Sequence, residues 1–282
     1  MVDNLKVVDT ILDGEFDLGS EDIFYLNKKI TEYYADTPNV VSIPREDVVF
    51  VGDLHGELEQ LLKVKRIFLK SDSHFVFLGD YADRGPDQIE TTNLVFSLLL
   101  KYPYRVTLLR GNHESESVAS RYGFRDAVER KFTHELFESY CDAFSGLPLV
   151  AHNPGFIFAC HGGVPRNVAS LEQIKKINRR SREFDDPISF QLVWNDPSEG
   201  EFQFSPSMRG GNALVFGEIA FNEFMDALNY KIMIRAHEAY HDGIKFYYGD
   251  RLISVFSARY RGQVTPKILH LGKNLKVNPR DL

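Results

Sequence analysis

Of the nine histidines in this 282-residue chain, four fall in short motifs beside aspartate, asparagine and glycine. The motifs are Gly52-Asp53-Leu54-His55-Gly56, Gly79-Asp80-Tyr81-Ala82-Asp83-Arg84-Gly85, Arg110-Gly111-Asn112-His113-Glu114, His161-Gly162-Gly163 and Arg235-Ala236-His237. Carboxylate, imidazole and amide oxygen without thiolate suit manganese, iron or zinc rather than copper(I) or an iron–sulfur cluster. Two such ions, about 3.5–4 Å apart, can grip a phosphoryl group from both sides and bring the pKa of a shared water toward about 7. Asp80 is sited to divide its oxygens between two cations. The Arg84 guanidinium matches two phosphate oxygens. Taken singly, each motif has a plainer explanation: Asp-x-His is usually an ordinary turn, Asp80 a cap, Asn112 a left-handed turn residue, Arg84 a solvated surface group. Four histidines at matched structural positions make that explanation improbable for the set, and the chemistry they suit is two-metal hydrolysis of a phosphoester.

Each motif follows a short apolar run. Val48-Val49-Phe50-Val51, Phe75-Val76-Phe77-Leu78, Arg105-Val106-Thr107-Leu108-Leu109, Phe156-Ile157-Phe158-Ala159-Cys160 and Ile232-Met233-Ile234 read as buried strands, and ligands gather at the carboxyl ends of such strands. Helical spacing follows the first two: Leu58, Leu61, Leu62 and Phe68, then Thr92, Val95, Phe96 and Leu99 after Pro86. The strand–turn–helix alternation implies parallel pairing with right-handed crossovers. A long helical stretch is expected from Gly123 to about Phe144. Segments from Ile244 onward, broken at Gly249-Asp250 and Gly262, read as antiparallel hairpins. Near the amino terminus, Ser20 caps an expected helix with Ile23, Leu26, Ile30 and Tyr34 on one face. The expected architecture is α/β (α+β): two packed mixed sheets flanked by helices, with the ligands at one sheet edge. No linker or repeat divides the chain, so one catalytic domain is expected over 1–282, with a helical segment at 1–47, a core at 48–271 and a short tail at 272–282.

A net charge of −7 argues against general nucleic-acid binding. It leaves room for a phosphorylated substrate, because arginines and metal ions can invert the field of one cleft. Two cysteines, Cys141 and Cys160, give no disulfide framework and read as buried core residues. Residues 1–4 lack the pattern of a signal peptide, and no apolar run approaches the roughly 20 residues that span a bilayer. A cytoplasmic protein with no membrane partner is expected.

The motifs resemble those of the PPP-type metal-dependent serine/threonine protein phosphatases. Beyond the Gly-Asp-x-His-Gly, Gly-Asp-x-x-Asp-Arg-Gly and Gly-Asn-His-Glu series, the likeness includes Tyr122-Gly123-Phe124, Trp194-Asn195-Asp196-Pro197, Arg235-Ala236-His237-Glu238 and Phe256-Ser257-Ala258. It runs from about Val48 to Gly262. The resemblance implies the metallophosphoesterase four-layer sandwich. It implies that Asp53 and His55 bind one metal, that Asn112, His161 and His237 bind the other, and that Asp80 bridges them. Manganese is the expected ion in vitro, with iron or zinc as native options. His113 would be the general acid, with Asp83 hydrogen-bonded to its ring. Arg84, Asn112 and Arg209 would contact phosphate, while Asp196 and Tyr260 would line the cleft.

The implied reaction is hydrolysis of phosphoserine and phosphothreonine in proteins by hydroxide activated between two metals, with no covalent phosphoenzyme. Phosphoprotein substrates and regulatory proteins are the implied partners. A broader phosphoesterase acting on phosphotyrosine, nucleotides or dinucleotides is the enzymatic alternative, and a silent phosphoprotein-binding scaffold the non-enzymatic one. Two departures from the family pattern stand out. Residues 209–217 are one residue longer than usual, and Arg259 and Arg261 flank Tyr260 where relatives carry Pro-Asn-Tyr-Cys. The arginines are read either as a solvated loop or as substrate-selecting groups.

Overall fold

The computed structural model describes residues 6–273 and 275–282, so the reading of residues 1–4 falls outside it. Fourteen strands form among the described residues: β1 Val40–Ser42, β2 Val48–Val51, β3 His74–Phe77, β4 Val106–Leu108, β5 Val150–Asn153, β6 Ile157–Cys160, β7 Asp196–Pro197, β8 Phe204–Pro206, β9 Leu214–Phe216, β10 Ile232–Arg235, β11 Ile244–Tyr247, β12 Leu252–Val255, β13 Lys267–Leu271 and β14 Val277–Asp281. They make a six-stranded sheet (β1-β5-β6-β10-β12-β11), a five-stranded sheet (β14-β13-β2-β3-β4) and a small third sheet (β7-β9-β8). The helices are α1 Lys6–Asp13, α2 Ser20–Tyr33, α3 Leu58–Leu69, α4 Gln88–Lys101, α5 Glu116–Ala119, α6 Phe124–Lys131, α7 His134–Ser145, α8 Leu171–Lys175, α9 Pro187–Trp194 and α10 Glu218–Ala227.

Side-chain alternation along the strands builds the layers. In β2, Val48 and Phe50 face a central apolar layer with Val76, Leu78, Ile157, Ala159, Ile234 and Ile253, so the two large sheets pack face to face. The alternate residues Val49, Val51, Phe75 and Phe77 face outward onto α2, α3, α4 and α7. On the other sheet, Phe158, Cys160, Met233 and Leu252 face out onto α9 and α10. Strands hidden on both faces read as unbroken apolar runs, which is why β2, β3, β6 and β10 are legible from sequence. Both cysteines are buried and free. Among the described residues no helix is long and apolar enough to cross a membrane.

Several expectations need correction. Segment 1–47 is not wholly helical, since β1 joins the six-stranded sheet beside β5. Residues 272–282 are not a tail, because β14 pairs antiparallel with β13 and forms a sheet edge. Gly19, not Ser20, holds the N-cap position of α2, and no side chain caps it. The long helical stretch is two helices, α6 and α7, broken at Phe132 by an extended residue. The strands β2, β3 and β4 pair in parallel as expected, but the site is not confined to one sheet's edge. It spans the carboxyl ends of β2, β3 and β4 in one sheet and of β6 and β10 in the other.

Candidate active site

The two sheets touch directly at this end. Gly52 leaves β2 so close to β12 that a Cβ built on it would lie 2.2 Å from the Val255 carbonyl oxygen. A parallel bridge between Asp53 and Phe256 continues the contact. Only a residue without a side chain allows that approach, and it brings the ends of β2 and β10 within reach of each other. Asp53 Oδ1 consequently accepts the His237 backbone N–H at 2.9 Å.

Asp53, His55, Asp80, Asn112, His161 and His237 converge beneath one cleft, all under 10 % exposed. His55 Nε2 lies 3.6 Å from Asp53 Oδ2 and 3.7 Å from Asp80 Oδ2. The other Asp80 oxygen, Oδ1, lies 3.3 Å from His161 Nε2. That nitrogen is in turn 2.9 Å from Asn112 Oδ1 and 3.2 Å from His237 Nδ1. The two oxygens of Asp80 thus face two separate groups of donors, His55 with His113 and His161 with His237.

Tautomers follow from the outer partners. His55 Nδ1 faces the Ala82 carbonyl at 3.0 Å and His161 Nδ1 the Leu78 carbonyl at 2.9 Å. A carbonyl only accepts, so each Nδ1 carries a proton and Nε2 is the inward atom. Burial holds His55 down at about 3 and His237 well below its ordinary value, so both are neutral imidazoles with a free lone pair. Asp53 is pushed the other way, to about 6, by burial and by the Asp80 charge beside it. Two carboxylates this close in a desolvated floor do not both ionise cheaply without a cation. Asp53 Oδ2 is buried with no hydrogen-bond partner in the protein and lies 3.6 Å from His55 Nε2. An orphaned carboxylate oxygen in a converging oxygen–nitrogen set fits a metal ion, which would satisfy it.

Above this floor, His113 Nδ1 donates to Asp83 Oδ2 at 2.6 Å, leaving Nε2 toward the cleft. Burial works against the imidazolium, but Asp80 and the bond to Asp83 outweigh it, and the His113 pKa is raised. Arg84 Nη1 donates to the Tyr260 hydroxyl at 2.5 Å, and its guanidinium lies over the Tyr122 ring at 4.7 Å. The cleft is about 620 Å³ in volume, and its walls include His55, Asp80, Arg84, Asn112, His113, Arg209, His237 and Tyr260. Asp196 is not part of that wall, contrary to expectation. Its carboxylate sits between the Arg235 guanidinium, at 2.8 Å, and Arg209, which it anchors. Arg259 and Arg261 line a neighbouring hollow of about 360 Å³ that shares His55, Arg84 and Tyr260 with the cleft.

His55, Asp80, Asp83, Arg84, His237 and Tyr260 all adopt positive φ, from 45° to 72°. Such conformations cost about 1–3 kcal/mol each outside glycine and persist where the surroundings over-determine them. Their concentration in one cleft makes it the candidate functional centre.

Comparison with known proteins supplies the family. The signature of the calcineurin-like phosphoesterases matches residues 47–241. A putative serine/threonine-protein phosphatase of Schizosaccharomyces pombe is 34 % identical over 262 residues, 92 % of this chain and 84 % of that one. This chain belongs to the PPP serine/threonine phosphatases. A PP2A-like serine/threonine-protein phosphatase of Candida albicans is 38 % identical over 225 residues, which is 79 % of this chain but 54 % of the relative, so the chain spans about half the length of that protein. Among solved structures, a protein serine/threonine phosphatase from Saccharomyces cerevisiae with similarity to human phosphatase PP5 superposes with a TM-score of 0.88. It has 26 % identity and covers 99 % of this chain and 94 % of its own. A cold-active protein-tyrosine phosphatase of Shewanella, at 16 % identity and a TM-score of 0.62 over 87 % of this chain and 82 % of its own, shares the fold.

Two charged residues of the motifs, Glu114 and Arg235, hold the site together without belonging to the candidate ligand set. Glu114 accepts three backbone N–H bonds, from Asp80 (2.7 Å), Tyr81 (2.9 Å) and Gly111 (2.8 Å), and so ties the second motif to the third. Fully buried Arg235 donates to the Gly162 carbonyl at 2.6 Å and to Glu238 at 2.8 Å, locking β10 to the His161 loop. The signal for Arg235 was a charged residue at the end of an apolar run, and for Glu114 a carboxylate inside a ligand-bearing motif, since buried charges must be paired. Glu57 gave no such signal.

Proposed function

We propose that this chain hydrolyses phosphoserine and phosphothreonine in proteins by direct attack of hydroxide on phosphorus at a pair of divalent metal ions. The observation that carries the reading is the double-faced Asp80 carboxylate, with a neutral imidazole on each side of it and the orphaned Asp53 oxygen beside His55. Asp53, His55 and one Asp80 oxygen would hold one ion. The other Asp80 oxygen, Asn112, His161 and His237 would hold the second. Manganese, iron and zinc suit this donor set, and such ions supply Lewis acidity and a water acidic enough to ionise near neutral pH.

The chain's own groups then divide the remaining work. Arg84 orients the phosphate, fork against oxygens, and Arg209 lines the same cleft with its guanidinium held by Asp196. Asn112 faces the same space. His113 holds a proton on Nε2 and delivers it to the departing serine or threonine oxygen as the P–O bond breaks. Asp83 keeps the ring in that orientation and favours the protonated form. The products are the free hydroxyl amino acid and inorganic phosphate. Neither cysteine is placed to act as the nucleophile, because both are buried in the core. Regulatory proteins and a cytoplasmic location remain part of this reading, as does a single catalytic domain.

The test is a comparison of substrates after chelation and reconstitution with manganese. Phosphoserine and phosphothreonine peptides should be turned over with a higher kcat/KM than a phosphotyrosine peptide or a dinucleoside polyphosphate, and the chelated protein should be inert. Preferred hydrolysis of the dinucleotide would overturn the substrate class. Tight binding of phosphopeptide without turnover in the metal-loaded protein would favour a scaffold.

A further inference from the structure

Glu57 immediately precedes α3, in the N-cap position, yet its side chain makes no bond to that helix. It turns instead to a loop two hundred residues away. Its Oε2 accepts the Arg259 backbone N–H at 2.6 Å and its Oε1 the Tyr260 backbone N–H at 2.7 Å. Two successive N–H groups converging on one anion form a concave seat that a carboxylate fills well. The loop needs such a hold. Tyr260 and Arg261 are consecutive non-glycine residues at φ 47° and 60°, and the buried apolar cluster beside them is small, made of Phe256, Ala258 and Val264. Polar anchoring therefore carries much of what packing carries elsewhere. The side chain delivered by the loop is the Tyr260 phenol, which accepts from Arg84 Nη1 at 2.5 Å with its ring edge-on to Phe256 at 5.6 Å.

We propose that Glu57 is a positioning residue: it seats the Tyr260 loop so that the phenol fixes the Arg84 guanidinium in its phosphate-receiving orientation. The proposal rests on the reading of Arg84 as a phosphate ligand. An ordinary capping residue would face its own helix. Glu57 spends both oxygens on the loop, and the chain Glu57–Tyr260–Arg84 ends at the cleft wall.

The experiment compares Glu57→Ala, Glu57→Gln, Tyr260→Phe, Glu57→Ala with Tyr260→Phe, and Arg84→Ala in the manganese-loaded protein. It measures kcat and KM on a phosphoserine peptide and the inhibition constant of inorganic phosphate. Glu57→Ala should lower kcat/KM by about ten-fold, the loss expected of a charge-assisted hydrogen bond, mostly through KM, with the phosphate inhibition constant rising in parallel. The double variant should be no worse than the weaker of the two single ones, because both act through the same contact. Glu57→Gln keeps acceptor oxygen without charge and should fall between wild type and Glu57→Ala; it carries the test if the alanine variant does not fold. Additive losses in the double variant, or an unchanged phosphate inhibition constant in Glu57→Ala, would overturn the positioning role. If Arg84→Ala itself leaves phosphate inhibition unchanged, the assignment of Arg84 fails, and the positioning role with it. Additivity alongside a strong Arg84→Ala effect would reject only the positioning role.

Discussion

Replacing Asp83 by asparagine isolates the proposed proton-delivery step. Asp83 Oδ1 accepts the Phe124 backbone N–H at 2.9 Å, and Oδ2 accepts from His113 Nδ1 at 2.6 Å. The asparagine oxygen can keep the first bond, so the turn into α6 should survive. Its amide then presents N–H to His113 Nδ1, which must give up its own proton to accept. Bonds to a charged partner contribute about 1.5–3 kcal/mol, and one pKa unit corresponds to about 1.4 kcal/mol, so the His113 pKa should fall by about one to two units. Asp80 Oδ2, 3.9 Å from Nε2, stays and preserves the rest of the upward shift. The sign follows from the role. A general acid works below its pKa and is lost as pH rises through it, so the alkaline limb of kcat/KM for an alkyl phosphomonoester should move to lower pH. At the acid end the variant should approach wild-type turnover. An aryl phosphate, whose leaving group needs little protonation, should show a much smaller displacement. An alkaline limb that stays put, or one displaced equally for both substrates, would refute the assignment of His113 as the acid.

Asp80→Asn replaces the carboxylate that faces both donor groups, and should lower metal content at both positions and nearly abolish turnover; elemental analysis after gel filtration showing two retained metals with normal activity would remove the bridging assignment. Gly52→Ala should destabilise the fold by about 1–3 kcal/mol or more, because the new methyl meets backbone rather than a movable side chain. An unchanged Tm would show that the approach of β2 to β12 is looser than its geometry indicates.

The chemistry of this protein was legible in the sequence because metal ligation is demanding in residue type. Carboxylate and imidazole had to appear where apolar runs end, and Asp53, His55, Asp80, Asn112, His113, His161 and His237 all do. The strands that carry them were equally plain, since a strand buried on both faces leaves an unbroken apolar run in β2, β3, β6 and β10. The edges were not: β1 and β14 are short or largely exposed, and their pairing depends on partners far away in the chain. Only the tertiary structure decided that the candidate ligands come from two sheets rather than one, because the Gly52–Val255 contact is a matter of packing and leaves a single glycine as its trace. The same holds for the placing of Asp196 behind Arg209 and for the reach of Glu57 to the Tyr260 loop. Motif spacing records which atoms can do chemistry. The direction in which a carboxylate turns is set by the donors that surround it after folding, and those donors lie up to two hundred residues away.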